Sequence, residues 1–194
     1  IGPNRIDPFT MASSVQGHVA YLRERFGPQT ELKVVVACDV RRYGDLRGIY
    51  PPKPPNPVLG LSSKDFAHIA TSVYCAGGVR VYLLDDKLND YISTPELSFL
   101  IQRYGAHGGL NVSASHNHPD DNGGKFYNDR GGQEIPPRDE QMVKFVEAIT
   151  EITSMPYAEA LRSGQVEPIT VADRRAYIDL NLGLRLRAGA GAAK

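Results

Sequence analysis

The sequence predicts a three-layer α/β/α fold around a mainly parallel, mixed sheet. Short apolar runs rich in β-branched residues alternate along the chain with amphipathic helical patterns. Such alternation is typical of βαβ units, whose right-handed crossovers place helices on both faces of a sheet. The chain has 194 residues, which is enough for one substantial core, so we expect a single domain.

The first helix, strand and loop follow from local patterns. Apolar residues at helical spacing predict a helix from Met11 to Phe26, with Thr10 as its N-cap and Gly27 as its end. Residues 32–37 have the apolar, β-branched composition of a buried strand. Residues 43–60 are rich in Pro, Gly and Tyr and include a Pro-rich run over 51–57, which predicts an extended surface loop.

The remaining elements continue the alternation of helices and strands. We expect a helix from Ser62 or Ser63 to Ala76, followed by a strand over 79–84. The next helix runs through Tyr104, with Thr94 as N-cap and Pro95 in its first turn, and a strand follows over 109–113. Three further helices are expected: from Asp139 to about Ile152, over 157–162 and within 172–186.

Charge and composition argue against several classes of partner. The chain has 22 Lys and Arg residues against 22 Asp and Glu residues, so net charge gives no reason to expect a nucleic acid or an anionic membrane as partner. No apolar run approaches the length of a membrane span, and no signal peptide is recognisable, so we expect a cytoplasmic protein. Cys38 and Cys75 lie in apolar segments and are predicted to be reduced.

Chemically useful side chains concentrate directly after the third predicted strand. Residues 113–125 supply hydroxyls, two imidazoles, two carboxylates, amides and an amine, and Gly123 and Gly124 permit close approach of a ligand to the backbone. Ligands of parallel α/β sheets bind beyond the carboxyl ends of the strands, which is where this loop is expected. The loop is therefore the predicted functional site.

The order Ala114-Ser115-His116-Asn117, followed by Pro119, Asn122-Gly123 and Lys125, resembles the phosphoserine loop of the α-D-phosphohexomutase superfamily, which contains the phosphoglucomutases and phosphomannomutases. One position departs from the pattern, because His118 stands where that loop usually has Pro. The resemblance extends to residues 2–5, 34–41 and 93–97, and it covers most of residues 1–140. It implies the fold of domain I of that superfamily.

The resemblance also implies residue roles. Ser115 is expected to carry a phosphoryl group, and Lys125 to act as a general acid or base beside it. The complete predicted site has catalytic residues Ser115, His116 and Lys125, and phosphate- or sugar-binding residues Asn117, Asn122 and Arg41. Arg41 has two further interpretations from its position at a strand end, either steadying the loop or simply pairing with Asp39.

The activity implied by the resemblance is interconversion of a hexose 1-phosphate and a hexose 6-phosphate. Glucose phosphates are the expected substrates, with phosphomannomutase and phosphopentomutase as alternatives in the same superfamily. The phosphoryl group would move through phosphoserine and a bisphosphate intermediate, with glucose 1,6-bisphosphate as activator. The implied metal is Mg²⁺, held here through a phosphate oxygen on Ser115.

The other parts of such an enzyme are not recognisable in this sequence. The superfamily holds its metal with an Asp-Gly-Asp-x-Asp-Arg loop in domain II, and that string does not occur here. We therefore expect residues 1–187 to form domain I and residues 188–194 to be a linker toward domain II. Domains II–IV are the expected partners, and the chain alone is expected to be inactive.

Two other functional classes remain open. The order His116, His118, Asp120 approximates the ligand pattern of binuclear metal hydrolases, which place such residues after a strand. The chain could also be a non-enzymatic phosphate-binding or scaffold domain. Phosphate on Ser115 would favour the mutase, whereas stoichiometric zinc without phosphate would favour the hydrolase.

Overall fold

The computed structural model describes residues 6–51, 53, 55–88 and 90–184. Its helices are α1 (Pro8–Phe26), α2 (Ser63–Ala76), α3 (Thr94–Arg103), α4 (Arg138–Glu147), α5 (Tyr157–Arg162) and α6 (Val171–Gly183). Its strands are β1 (Lys33–Cys38), β2 (Arg80–Leu84), β3 (Gly108–Val112), β4 (Gly124–Asn128) and β5 (Val166–Ile169).

The strands form one five-stranded sheet in the order β4-β3-β1-β2-β5. The pairs β3–β1, β1–β2 and β2–β5 are parallel, and β4 is antiparallel to β3. This confirms the predicted α/β class and the mainly parallel, mixed sheet. Because β2 and β3 lie on opposite sides of β1, the chain reverses its direction of winding between β1 and β3.

Helices cover both faces of the sheet. Successive side chains of a strand point to opposite faces, so apolar side chains on both faces need to be covered. Val34 and Val36 of β1 belong to an apolar cluster with α1, α2, Met142 of α4 and Ala160 of α5. Val35 and Ala37 face the other way, into a smaller cluster with α3 and Ile169 of β5. Cys38 and Cys75, which were predicted to be reduced, are buried and form no disulfide.

Helix α1 begins earlier than predicted. Asp7 is its N-cap, because the Asp7 carboxylate accepts the Thr10 backbone N–H at 2.7 Å. The Thr10 hydroxyl accepts the Asp7 N–H at 2.8 Å, so Thr10 is the second partner of a capping box rather than the cap itself. Pro8, at the first helical position, has no N–H that needs a partner there. The predicted end at Gly27 is confirmed.

The starts of α2 and α3 show the same kind of local control. Ser62, one of the two predicted candidates, caps α2 by accepting the Asp65 N–H. Helix α3 is capped by Ser93, whose hydroxyl accepts the Glu96 N–H at 3.3 Å, so the assignment of Thr94 as N-cap was wrong by one residue. Thr94 instead accepts a hydrogen bond from the side-chain amide of Asn111 on β3.

Two predicted helix ends also change. Helix α4 stops at Glu147 and not near Ile152, since the segment that follows is rich in β-branched Ile and Thr, which are poorer helix formers. Helix α6 ends at Gly183. The predicted extension to residue 186 lies outside the described residues, as do residues 2–5 and the proposed linker over 188–194.

Strands β4 and β5 were not predicted. Each is an edge strand with weak local signals, because β4 begins at Gly124 and β5 contains Pro168. Proline is tolerated at a sheet edge, where one side of the strand needs no ladder hydrogen bonds. Within the described ranges, the Pro-rich segment after β1 contains neither helix nor strand, as predicted, and no helix is both long and apolar enough to cross a bilayer.

Candidate active site at the ends of β1 and β3

The predicted site loop lies at the point where the winding of the sheet reverses. Residues 113–123 follow β3 and residues 39–42 follow β1, so both segments leave the carboxyl edge of the sheet side by side. This is the position at which parallel α/β sheets bind ligands. An open cleft of about 720 Å³ lies there, lined by Asp39, Val40, Arg41, Arg42, Thr94, Ser113, Ser115, His116, Asn117 and Pro119.

Ser115 is presented at the surface of this cleft. Its backbone has φ 56°, the left-handed region that side chains other than glycine seldom adopt. The Ser115 N–H donates to the hydroxyl of Ser113 at 3.1 Å, and the Ser115 hydroxyl is 3.4 Å from Nδ1 of His116. The loop therefore turns an exposed hydroxyl toward solvent with an imidazole beside it.

Arg41 holds the backbone of the loop. Its Nη1 donates to the carbonyls of His118 at 2.6 Å and Asp121 at 3.1 Å. Its Nη2 donates to the carbonyls of Ser115 at 2.8 Å and Asn117 at 2.9 Å. Four carbonyls of one loop thus converge on a single guanidinium, whose side chain is only 12% exposed.

The fifth donor of Arg41 binds Asp39. Arg41 Nε lies 3.0 Å from Oδ2 of Asp39, while the other carboxylate oxygen accepts the Arg41 backbone N–H and the Ser63 hydroxyl. The predicted Asp39–Arg41 pair is therefore present. All five guanidinium donors are used, so the contacts match the interpretation in which Arg41 steadies the loop.

Asn122 connects the loop to the start of α2. Its side-chain amide nitrogen donates to the hydroxyl of buried Ser63 at 2.9 Å, and its side-chain oxygen accepts the N–H of Gly123. Ser63 thus lies between Asp39 and Asn122. The network ties the loop to the first turn of a helix that is itself packed in the larger core.

The Pro-rich segment after β1 supports the loop from its other side. The Asp120 carboxylate is buried and accepts the backbone N–H groups of Gly44 at 3.0 Å and Arg47 at 3.3 Å. The Arg47 guanidinium makes a two-point ion pair with Asp121, at 2.7 and 3.2 Å. The hydrogen bond and charge of Arg47 lower the pKa of Asp121.

Lys125 is separated from the other predicted site residues. It lies on β4, opposite Asn111 of β3, and is partly buried. It does not line the cleft that contains Ser115, His116 and Asn117. The structure therefore gathers four of the predicted residues around the cleft, namely Ser115, His116, Asn117 and Arg41, the last with its donors committed to the loop and Asp39. It places Asn122 in the supporting network and leaves Lys125 on the adjacent strand.

The geometry does not support the metal-hydrolase alternative. The Asp120 carboxylate is engaged by backbone amides, and Nδ1 of His118 accepts the Asp120 N–H at 3.2 Å. Across the ranges described, no three or more His, Cys, Asp or Glu side chains are arranged to hold a metal ion. His116, His118 and Asp120 consequently do not form a ligand set.

Comparison with known proteins agrees with this placement. Residues 61–153 match the family model described as phosphoglucomutase/phosphomannomutase, alpha/beta/alpha domain I, which includes the whole of the Ser115 loop. Residues 61–153 belong to the α-D-phosphohexomutase superfamily. It is 30% identical over 154 residues to the phosphomannomutase of Mycoplasma genitalium, and 30% identical over 149 residues to the phosphoglucomutase of Staphylococcus saprophyticus.

These matches cover much of this chain but little of the relatives. They include 79% and 77% of this chain, and 24% and 22% of the two relatives. The chain thus spans about a quarter of the length of the relatives that it matches. A solved phosphoglucomutase/phosphomannomutase family protein from Burkholderia thailandensis has the same fold, with a TM-score of 0.60 at 22% identity over 92% of this chain and 32% of that one.

Sequence reasoning missed the residues that support the loop from outside it. Ser63, Gly44 and Arg47 are distant from the loop in sequence, and Asp120 was considered only as a metal ligand. The signal available in the sequence was the pair of adjacent acids at 120–121. Their contacts with Gly44 and Arg47 of the Pro-rich segment are visible only in the fold. Nothing in the sequence alone specifies that these segments meet.

Proposed function

We propose that this chain is the phosphoryl-carrying domain of a phosphohexomutase, with Ser115 as the carrier. The observation that supports the proposal is the presentation of the Ser115 hydroxyl on a left-handed residue, in a loop that has four carbonyls bound to Arg41. A fixed, exposed hydroxyl suits in-line phosphoryl transfer, because catalysis of that reaction depends mainly on positioning and on stabilising charge.

The proposed chemistry balances as two transfers. The phosphoserine gives its phosphoryl group to a sugar-phosphate hydroxyl, which loses a proton and becomes the second ester of a bisphosphate. As the Ser115 O–P bond breaks, the serine oxygen takes up a proton. In the second transfer the Ser115 hydroxyl loses its proton and bonds the other phosphoryl group of the bisphosphate, and the sugar oxygen that releases this group is protonated to a hydroxyl. In this scheme His116, with its Nδ1 3.4 Å from the Ser115 oxygen, holds or moves the proton, and Asn117, which lines the same cleft, binds phosphate or sugar oxygens.

Arg41 and Lys125 have different proposed positions in this scheme. Arg41 acts as a positioning residue, since its donors are occupied by the loop and by Asp39. Lys125 is the proposed general acid or base, on a strand directly beside β3. Its amine has a flexible stem of four carbons, with which it can extend from β4 toward a bound phosphoryl group.

The proposed metal is Mg²⁺, which would stabilise charge on the transferring phosphoryl group. This chain would contribute one phosphate oxygen on Ser115. The portion of the chain that the structure describes offers no cluster of three His, Cys, Asp or Glu ligands, so its own side chains do not fit the ion alone. We propose that the other ligands come from domains II–IV, and that the 194-residue chain has no mutase turnover without them.

The proposed substrates are glucose 1-phosphate and glucose 6-phosphate, with glucose 1,6-bisphosphate as intermediate and activator. The relatives carry both phosphoglucomutase and phosphomannomutase names at the same identity, so mannose and pentose phosphates belong in the same assay. A panel of the three sugar phosphates, each measured as kcat/KM on the native protein together with the proposed domains II–IV, ranks them.

Phosphate on Ser115 is the decisive test. The protein as its native host expresses it is analysed by intact mass and peptide mapping, before and after incubation with glucose 1,6-bisphosphate. We expect one phosphoryl group, confined to Ser115 and gained from the bisphosphate. Ser115→Ala should gain none, whereas Ser113→Ala, which changes a neighbouring hydroxyl, should still be phosphorylated.

Two results would contradict the proposal. Phosphate that appears equally on the Ser115→Ala protein would show that another residue is the carrier. An unphosphorylated Ser115 in a protein that nevertheless interconverts the sugar phosphates would show that the reaction does not use this loop.

A further inference from the structure

Two adjacent arginines at the end of β1 have opposite surroundings. Every guanidinium donor of Arg41 is bound by Asp39 or by a carbonyl of the Ser115 loop. Arg41 therefore has no N–H left for a phosphate group unless the loop comes apart. Arg42 also lines the cleft, is exposed, and makes no side-chain hydrogen bond or ion pair with any residue in the described ranges.

The backbone of Arg42 is nevertheless fixed. Arg42 forms an antiparallel bridge with Ser62, and the flanking hydrogen bonds run from Ser63 N–H to the Arg41 carbonyl and from Tyr43 N–H to the Leu61 carbonyl. Its side chain thus extends from a rigid base into open space. This arrangement keeps an arginine available at a defined position without using its charge internally.

The charge balance of the cleft leaves Arg42 uncompensated. Among the described residues that line the cleft, Asp39 is the one acid, and its carboxylate is bound by Arg41 and Ser63. The acids of the loop itself are also engaged, since Asp121 pairs with Arg47 and Asp120 accepts backbone N–H groups. An anion entering the cleft would therefore meet one unpaired guanidinium, whose planar fork suits phosphate oxygens.

We infer that Arg42 binds a phosphate group in this cleft. Arg41 then holds the loop, and Arg42 holds the ligand. The inference rests on the proposed function, because the ligand is the phosphate that the reaction brings to Ser115. Two sources share this chemistry, namely the sugar phosphate and the phosphoserine. The experiment below separates them.

The substrate arm uses the 194-residue chain carrying Ser115→Ala, which cannot hold phosphoserine. Glucose 1-phosphate is titrated into the isotope-labelled chain and its Kd is obtained from amide chemical shifts. We expect Arg42→Gln to weaken binding about tenfold, as loss of a hydrogen-bonded charge pair does, and Arg42→Lys to weaken it less. Arg162→Gln, which removes an exposed arginine at the end of α5, controls for net charge and should leave Kd unchanged.

The phosphoserine arm uses the protein phosphorylated on Ser115 and follows its phosphorus resonance with pH. If Arg42 serves the phosphoserine, Arg42→Gln raises the second pKa of that phosphate and the substrate arm shows no change. Either result supports phosphate binding by Arg42. Values within twofold of the parent Kd, together with an unchanged phosphoserine titration, would overturn it.

Failure of this inference is distinguishable from failure of the proposed function. Phosphate on Ser115 is measured by mass and does not depend on Arg42. Glucose 1-phosphate binding is measured without any phosphate on Ser115. An exposed side chain contributes little to folding, so the thermal unfolding of Arg42→Gln should match the parent and exclude a structural explanation.

Discussion

The cleft-bearing half of the molecule and the opposite edge are held together by different forces. Helix α1 buries eight residues and packs against α2 and α4, whereas α6, which packs against α3, has no buried residue. Helix α6 is attached mainly by Arg174, which contacts Asp90, Glu96 and the Tyr91 carbonyl, and by an Arg103–Asp173 ion pair. Apolar burial and a saturated hydrogen-bond network fix the site, while partly exposed ion pairs and a ring contact between Phe99 and Tyr177 hold α6.

The largest effect should come from breaking the arginine network at the site. Arg41→Gln removes donors from four loop carbonyls and leaves the partly buried Asp39 without its cation. We expect about 3 kcal/mol of lost stability in urea unfolding, and at least a tenfold slower gain of phosphate by Ser115. The neighbouring Arg42→Gln should change stability by less than about 0.5 kcal/mol. Equal stabilities of the two variants would remove the distinction between these arginines.

The second effect tests burial in the same half. His18 of α1 is fully buried, with its Nδ1 2.7 Å from the Tyr74 hydroxyl and its ring 4.6 Å from that of Phe126. Burial lowers the pKa of His18 to about 3. The unfolded chain therefore binds one more proton than the folded chain between pH 6.5 and about 3, so stability is full above pH 6.5 and falls as the pH drops through that window.

The size of this acid effect is about 2–3 kcal/mol between pH 7 and pH 4.5 for a single buried imidazole. Urea unfolding at several pH values measures it. His18→Phe should flatten the slope because the titrating group is gone, whereas Tyr74→Phe should lower stability and keep the slope. A His18→Phe protein with the parent slope would show that other groups dominate acid unfolding.

A smaller, local effect is expected at the far edge. Arg174→Gln removes the cation beside Glu96, whose side chain is only 6% exposed, and releases α6 from α3. We expect hydrogen exchange of α6 amides to speed up by about tenfold, equivalent to roughly 1–2 kcal/mol, with β1 and β3 unaffected. Faster exchange throughout the sheet would show that the two halves unfold as one unit.

The smallest effect concerns Asp173 at the start of α6. Burial raises the pKa of Asp173, but hydrogen bonds from Thr170 and Arg103 outweigh this and lower it to about 2. Its contribution to stability is therefore complete above pH 4 and is lost as the pH falls through about 2. The change should not exceed about 1 kcal/mol, because ion pairs of this kind are weak. Asp173→Asn should abolish it, and amide exchange of α6 below pH 4 measures it.

The features that could be predicted depend on residues close together in the sequence, and the features that were missed depend on contacts between distant segments. The helices and central strands were predictable because periodicity, caps and β-branched runs are written within each segment. The position of the candidate site loop was predictable from the order of residue types over 114–125. Strands β4 and β5 were not, since an edge strand such as the one containing Pro168 is defined by its neighbour rather than by its own residues.

The support of the loop shows the same limit. Asp39 and Arg41 are two residues apart, so their pairing could be anticipated, but the carbonyls that Arg41 binds lie about 75 residues later in the chain. The contact of Asp120 with Gly44 likewise depends on where two loops meet. Candidate site residues can thus be named from sequence, whereas the contacts that each of them makes depend on the fold.

The left-handed backbone at Ser115 has a consequence for how the loop would respond to modification. Ser115 is exposed and binds Arg41 through its backbone carbonyl, so a group attached to its hydroxyl can extend into solvent without displacing that contact. Phosphorylated and unphosphorylated forms would then share one loop conformation, and little reorganisation would be needed as the group leaves and returns. The backbone of the loop would therefore stay in place while the phosphoryl group on Ser115 is exchanged.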